Sequence, residues 1–100
     1  MKFKNLLSFV VLLLLTSTVF AQGPKYHLLI GTYTAPGKSE GIYVYEFDTD
    51  NGSLTYKSKA VIGSPSYFAL TKDRKFLYTV GEDQGSKLSA LSFDSKTGDL

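Results

Sequence analysis

The sequence predicts an all-β chain of β-propeller type, an N-terminal fragment holding about two blades. Three observations point there. Runs rich in Val, Ile, Tyr, Phe and Thr follow one another after residue 22, and Gly, Asn, Asp or Pro close each of them. No helical stripe interrupts the series. Finally, "FDTDNGSL" (47–54) returns as "FDSKTGDL" (93–100), so that Phe47, Asp48, Gly52 and Leu54 recur 46 positions later as Phe93, Asp94, Gly98 and Leu100. Ile42 and Leu88, and Tyr45 and Leu91, keep the same spacing. A period near 46 with four short strands per unit suits a propeller blade.

The first 21 residues stand apart. "MKFK" is basic, and residues 6–20 form an apolar run. "VFA" then puts Val19 and Ala21 at the −3 and −1 positions of a cleavage site before Gln22. This is the three-part pattern of an export signal. The run is short for a membrane span, which needs about 20 apolar residues. No stop-transfer charge follows, so no stable membrane anchor is expected after cleavage. The mature protein is expected in the periplasm or outside the cell. Lys2 and Lys4 carry the whole formal charge of +2. The remaining nine basic and nine acidic side chains cancel, which removes the electrostatic argument for a nucleic-acid partner. Cysteine is absent, so neither a disulfide framework nor a thiolate metal site is available.

In the mature segment, 22–100, strands are expected at 26–34, 41–48, 53–62, 66–71, 75–81 and 87–94. "APGKSEG" is a longer loop, "KDRK" a polar turn, and Asp50-Asn51-Gly52 a tight hairpin in which Asn and Gly accept positive φ. Connections this short make neighbouring strands antiparallel. The strands at 26–62 are then the second, third and fourth of one blade. A second blade starts at 66 with its innermost strand and is incomplete at 100.

Alternating strand direction sorts the loops onto two faces. One face carries residues 32–41, 63–67 and 81–86 together with the link between blades. The other carries "KDRK" and both copies of the repeated turn. Asp48 and Asp94 are expected to accept hydrogen bonds from the backbone of their own turns. His27 falls on that same face and reads as structural. The candidates for chemistry lie on the linking face: Glu82 as a weak catalytic candidate, and Tyr33, Ser66 and Tyr67 as weak substrate-binding candidates. Asp83, beside Glu82, reads as a solvated loop residue. Ser66 lacks a Gly-x-Ser-x-Gly setting and a base partner, which argues against a nucleophile. No metal motif, phosphate loop or dinucleotide fingerprint occurs, so no metal and no cofactor are expected.

"LLIGTYT", "GIYVYEFDTDNGSL", "SPSYFALTKDRKFLYTVGE" and "LSFDSKTGDL", in this order, resemble the opening of the lactonase-family seven-bladed propellers, the 6-phosphogluconolactonase-like proteins related to the carboxy-cis,cis-muconate lactonizing enzyme. The resemblance spans residues 26–100. It implies a seven-blade ring of roughly 320–350 residues at about 46 per blade. It also implies a small-molecule lactone as partner and hydrolysis by water attack at the ester carbonyl. The His and Arg groups proposed for the family lie in later blades, and neither His27 nor Arg74 sits in a matching motif. An export signal fits poorly with a cytosolic phosphorylated lactone, so the expected substrate is an unphosphorylated sugar lactone or another cyclic ester. The alternative is an exported, non-catalytic propeller that binds a ligand or a protein.

Overall fold

The structure, a computed structural model, describes residues 21–83 and 85–100. All of the expected leader except Ala21 lies outside the described residues. Six strands form two three-stranded antiparallel sheets, with no helix among the described residues. The first sheet is β1 (Lys25–Gly31), β2 (Gly41–Asp48) and β3 (Leu54–Val61), in that order. The second is β4 (Pro65–Leu70), β5 (Phe76–Gly81) and β6 (Lys87–Ser92), likewise in chain order. Each sheet is a meander because its loops are too short for a crossover.

The elements differ from expectation only at their ends. β1 stops at Gly31 rather than 34. The Thr32 hydroxyl donates to the Gly41 carbonyl (2.7 Å), and Thr34 turns to the second sheet, so both leave the ladder. β6 stops at Ser92; the Phe93 amide still donates to the Lys75 carbonyl (2.8 Å), and Asp94 then enters the closing turn. β4 begins on Pro65, whose missing N–H is harmless at the first position of a strand.

The repeated turns share one bonding scheme. Gly52 N–H donates to the Asp48 carbonyl and Gly98 N–H to the Asp94 carbonyl, both at 2.8 Å. Asp48 and Asp94 amides donate to the carbonyls of Ser53 and Asp99. The Asp48 carboxylate accepts from the Asp50 amide (2.9 Å), and that of Asp94 from the Lys96 amide (2.8 Å) and the Thr97 amide (3.2 Å). The Lys96 and Thr97 amides hold the Asp94 carboxyl below the usual aspartate range. Gly52 and Gly98 take φ of 73° and 81°, a region that L side chains resist.

The core lies between the sheets. Ile42 and Val44 on β2 and Leu77 on β5 are fully buried. Thr79 is buried beside them, and its hydroxyl donates to the Tyr67 carbonyl (3.0 Å). Pairing puts His27, Leu29 and Gly31 on the side of β1 that faces the second sheet, where Gly31 comes up against Pro65 and Phe68. Face-to-face packing of consecutive sheets is the propeller arrangement, in which each blade covers one side of the next.

Candidate functional site

Residues 32–40, 62–64, 82–83 and 85–86 gather at one end of the paired sheets, as the strand directions require. Hydrogen bonds fasten this rim. The Thr34 amide donates to Ser64 Oγ (3.1 Å), and the Ser64 amide donates to Thr34 Oγ1 (3.0 Å). The Thr34 hydroxyl donates to Asp83 Oδ2 (2.8 Å), and the Glu82 amide donates to the Ser64 carbonyl (3.1 Å). One threonine thereby ties the first blade, the link and the second blade together. Ser64 is buried and held at φ 41°. Asp83 is exposed, as its neighbours in sequence suggest, yet its carboxylate has a partner in the Thr34 hydroxyl. It closes the latch because blade stacking brings it to Thr34, 49 positions away.

The four candidates sit around this latch. Tyr33 precedes Thr34 and is 73% exposed. Ser66 is exposed and falls in the irregular step between Pro65 and Tyr67, where the register with β5 shifts. Such a bulge re-aims a side chain at a strand end. Glu82 follows β5 directly and is exposed. These three share the rim. Tyr67 pairs with Val80, and Val80 with Leu88, so its ring lies on the side of the second sheet turned away from the first. That placement favours packing over lining the mouth.

Two clefts open on the same rim. One, of about 470 Å³, runs between residues 34–40 and 61–63; the other, of about 300 Å³, lies between 61–63 and the start of β6. Asp83 lines both, and none of the four candidates lines either. The rim thus offers hydroxyl donors and the exposed carboxylates of Glu40, Glu82 and Asp83, the last of them bonded to Thr34. Thr34, Ser64 and Asp83 carry no motif, so only the stacking of the two sheets identifies them.

The opposite end is built differently. His27 meets Phe93 edge to face, with ring centroids 5.9 Å apart and planes at 88°. A Cβ on Gly98 would lie 3.0 Å from His27 Nε2 and 3.1 Å from the Lys57 Cβ. His27 is half-buried and serves packing, as its position in the strand suggests. The Ser58 hydroxyl donates to the Gly98 carbonyl (2.6 Å) and so fixes the second turn to the first blade.

Comparison with known proteins bears on this geometry. A family model described as "Lactonase, 7-bladed beta-propeller" matches residues 27–100. Among curated relatives, a 6-phosphogluconolactonase of Bacillus subtilis is 38% identical over 78 residues, covering 76% of this chain and 22% of its own length. A 6-phosphogluconolactonase of Formosa agariphila is 33% identical over 78 residues, with coverage of 73% and 22%. A crystal structure from Bacteroides uniformis, assigned provisionally as a 6-phosphogluconolactonase, superposes with a TM-score of 0.69 at 40% identity, over 76% of this chain and 22% of that one. One from Bacteroides fragilis, assigned in the same way, gives 0.68 at 36% identity, over 82% and 22%. The chain spans about a fifth of the length of the relatives it matches.

Proposed function

Because this chain belongs to the lactonase family of seven-bladed β-propellers, we propose that the protein of which these blades form part hydrolyses a sugar lactone. The observation that supports this most is the match of residues 27–100 to that family, with relatives named 6-phosphogluconolactonase at 33–38% identity. In the proposed reaction, water adds to the ester carbonyl and forms a tetrahedral oxyanion. The ring C–O bond then breaks, and the departing oxygen takes a proton to leave a hydroxy acid. The oxyanion needs donors aimed at it, and the attacking water needs an acceptor for its proton.

On these blades, Glu82 is the acceptor we assign to the rim, and Tyr33 and Ser66 are hydroxyl donors on the same rim. Tyr67 is a lesser candidate, given the face it occupies. The remaining groups would come from other blades. An export signal at 1–21 would place the protein in the periplasm or outside the cell, where an unphosphorylated lactone is the more accessible substrate.

The test uses the protein at the full length of its relatives, with gluconolactone and 6-phosphogluconolactone. Acid release well above the spontaneous rate is expected with the first. Glu82→Gln should lower kcat by about 10²-fold or more if the carboxylate handles the proton. No acceleration with either lactone would overturn the lactonase reading and leave a binding propeller.

A further inference from the structure

The end opposite the rim carries a groove of about 430 Å³ between the two blades, lined among others by Lys25, His27, Glu46, Arg74, Phe93 and Lys96. Three cationic side chains meet one carboxylate there. Glu46 is already engaged, by Lys25 at 3.3 Å and Lys57 at 3.8 Å. Among the described residues, no carboxylate lies within ion-pair distance of Arg74 or Lys96.

Both of those residues stand on braced backbone. Asp73 Oδ1 accepts from the Thr71 hydroxyl (2.6 Å) and the Lys75 amide (3.1 Å), which spans the turn around Arg74. The Asp94 carboxylate accepts the Lys96 amide itself. The acids nearest in sequence are thus occupied by the turns. Arg74 also holds φ 59°, a conformation for which Gly or Asn is the ordinary choice. The turn alone does not call for arginine there, and Arg74 lines the groove.

From the shape, the charge and this backbone conformation together, we infer that the groove is a binding site for a small oxyanion, a phosphate or carboxylate group held between Arg74 and Lys96. Both walls belong to this chain, so the site is independent of the rim and of the lactonase reading. Guanidinium and ammonium groups pair with either oxyanion through charge-assisted hydrogen bonds.

The test is an amide NMR titration of the protein at the full length of its relatives with sodium phosphate, and separately with sodium gluconate, at ionic strength held constant with sodium chloride. Saturable shifts centred on residues 74 and 96 are expected with at least one of the two. Phosphate alone would assign a phosphoryl ligand, and gluconate alone a carboxylate. Arg74→Asn and Lys96→Gln should each weaken binding about tenfold, the equivalent of one charge-assisted hydrogen bond. Arg74→Asn should keep or raise the melting temperature, because Asn tolerates the backbone better. Lys96→Gln, at an exposed position, gives a second variant that leaves the turn intact. Shifts that sodium chloride reproduces, no saturation with either anion, or variants that bind as the parent does would overturn the proposal.

Discussion

Gly52 and Gly98 are the same residue of the same turn, and they answer to different constraints. Both hold positive φ, but nothing lies within 4 Å of a Cβ built on Gly52, whereas one on Gly98 meets His27 and Lys57. Alanine at either position carries the left-handed cost of roughly 1–2 kcal/mol. Gly98→Ala must in addition displace His27 from Phe93 or move the turn off Ser58. Chemical denaturation should therefore show Gly98→Ala losing more stability than Gly52→Ala. Equal losses would mean that the second turn is not seated on the first blade. The glycines and their turns were legible from spacing and turn chemistry. The difference between them was not, because it arises from a neighbour that the turn does not contain.

Among the elements, the latch decides how one blade is held to the next. Thr34 Oγ1 both donates to Asp83 and accepts from the buried Ser64 amide. Thr34→Val keeps the shape and removes both bonds, and it leaves a buried N–H without its partner. The expected loss is about 1–3 kcal/mol. Asp83→Asn retains an oxygen acceptor for the Thr34 hydroxyl and should cost less. Thermal unfolding of the two variants ranks them, and the reverse order would show that the carboxylate rather than the threonine carries the joint. Strand order, pairing and the two faces could be read from the sequence because they follow from local alternation and short turns. The latch could not, since Ser64 and Asp83 lie 30 and 49 positions from Thr34. Arg74 hid in the same way, because "KDRK" reads as an ordinary polar turn and only the backbone shows its left-handed residue. Of the site candidates, Tyr33, Ser66 and Glu82 reach one rim, while the register carries Tyr67 onto a sheet face.

At the scale of the molecule, each sheet buries one side and shows the other. The outward side of the first carries Tyr26, Leu28, Ile30 and Tyr56, and that of the second carries Tyr67, Tyr78, Val80 and Leu88, all more than a third exposed. Apolar faces of this extent require a cover. Expressed alone, the described segment should bind a hydrophobic dye and associate as its concentration rises. The same residues within a protein of the relatives' full length should do neither. Light scattering across a concentration series distinguishes the two, and a monodisperse, dye-silent segment would show that the faces tolerate water.

The latch also has a consequence in time. Hairpins within each sheet close short loops, whereas the Thr34–Asp83 bond closes one of 49 residues, and the entropic cost of closure rises with length. The first blade can therefore pair its strands while the second is still being synthesised. The joint between them forms last, as the step that commits two independently formed sheets to a common axis.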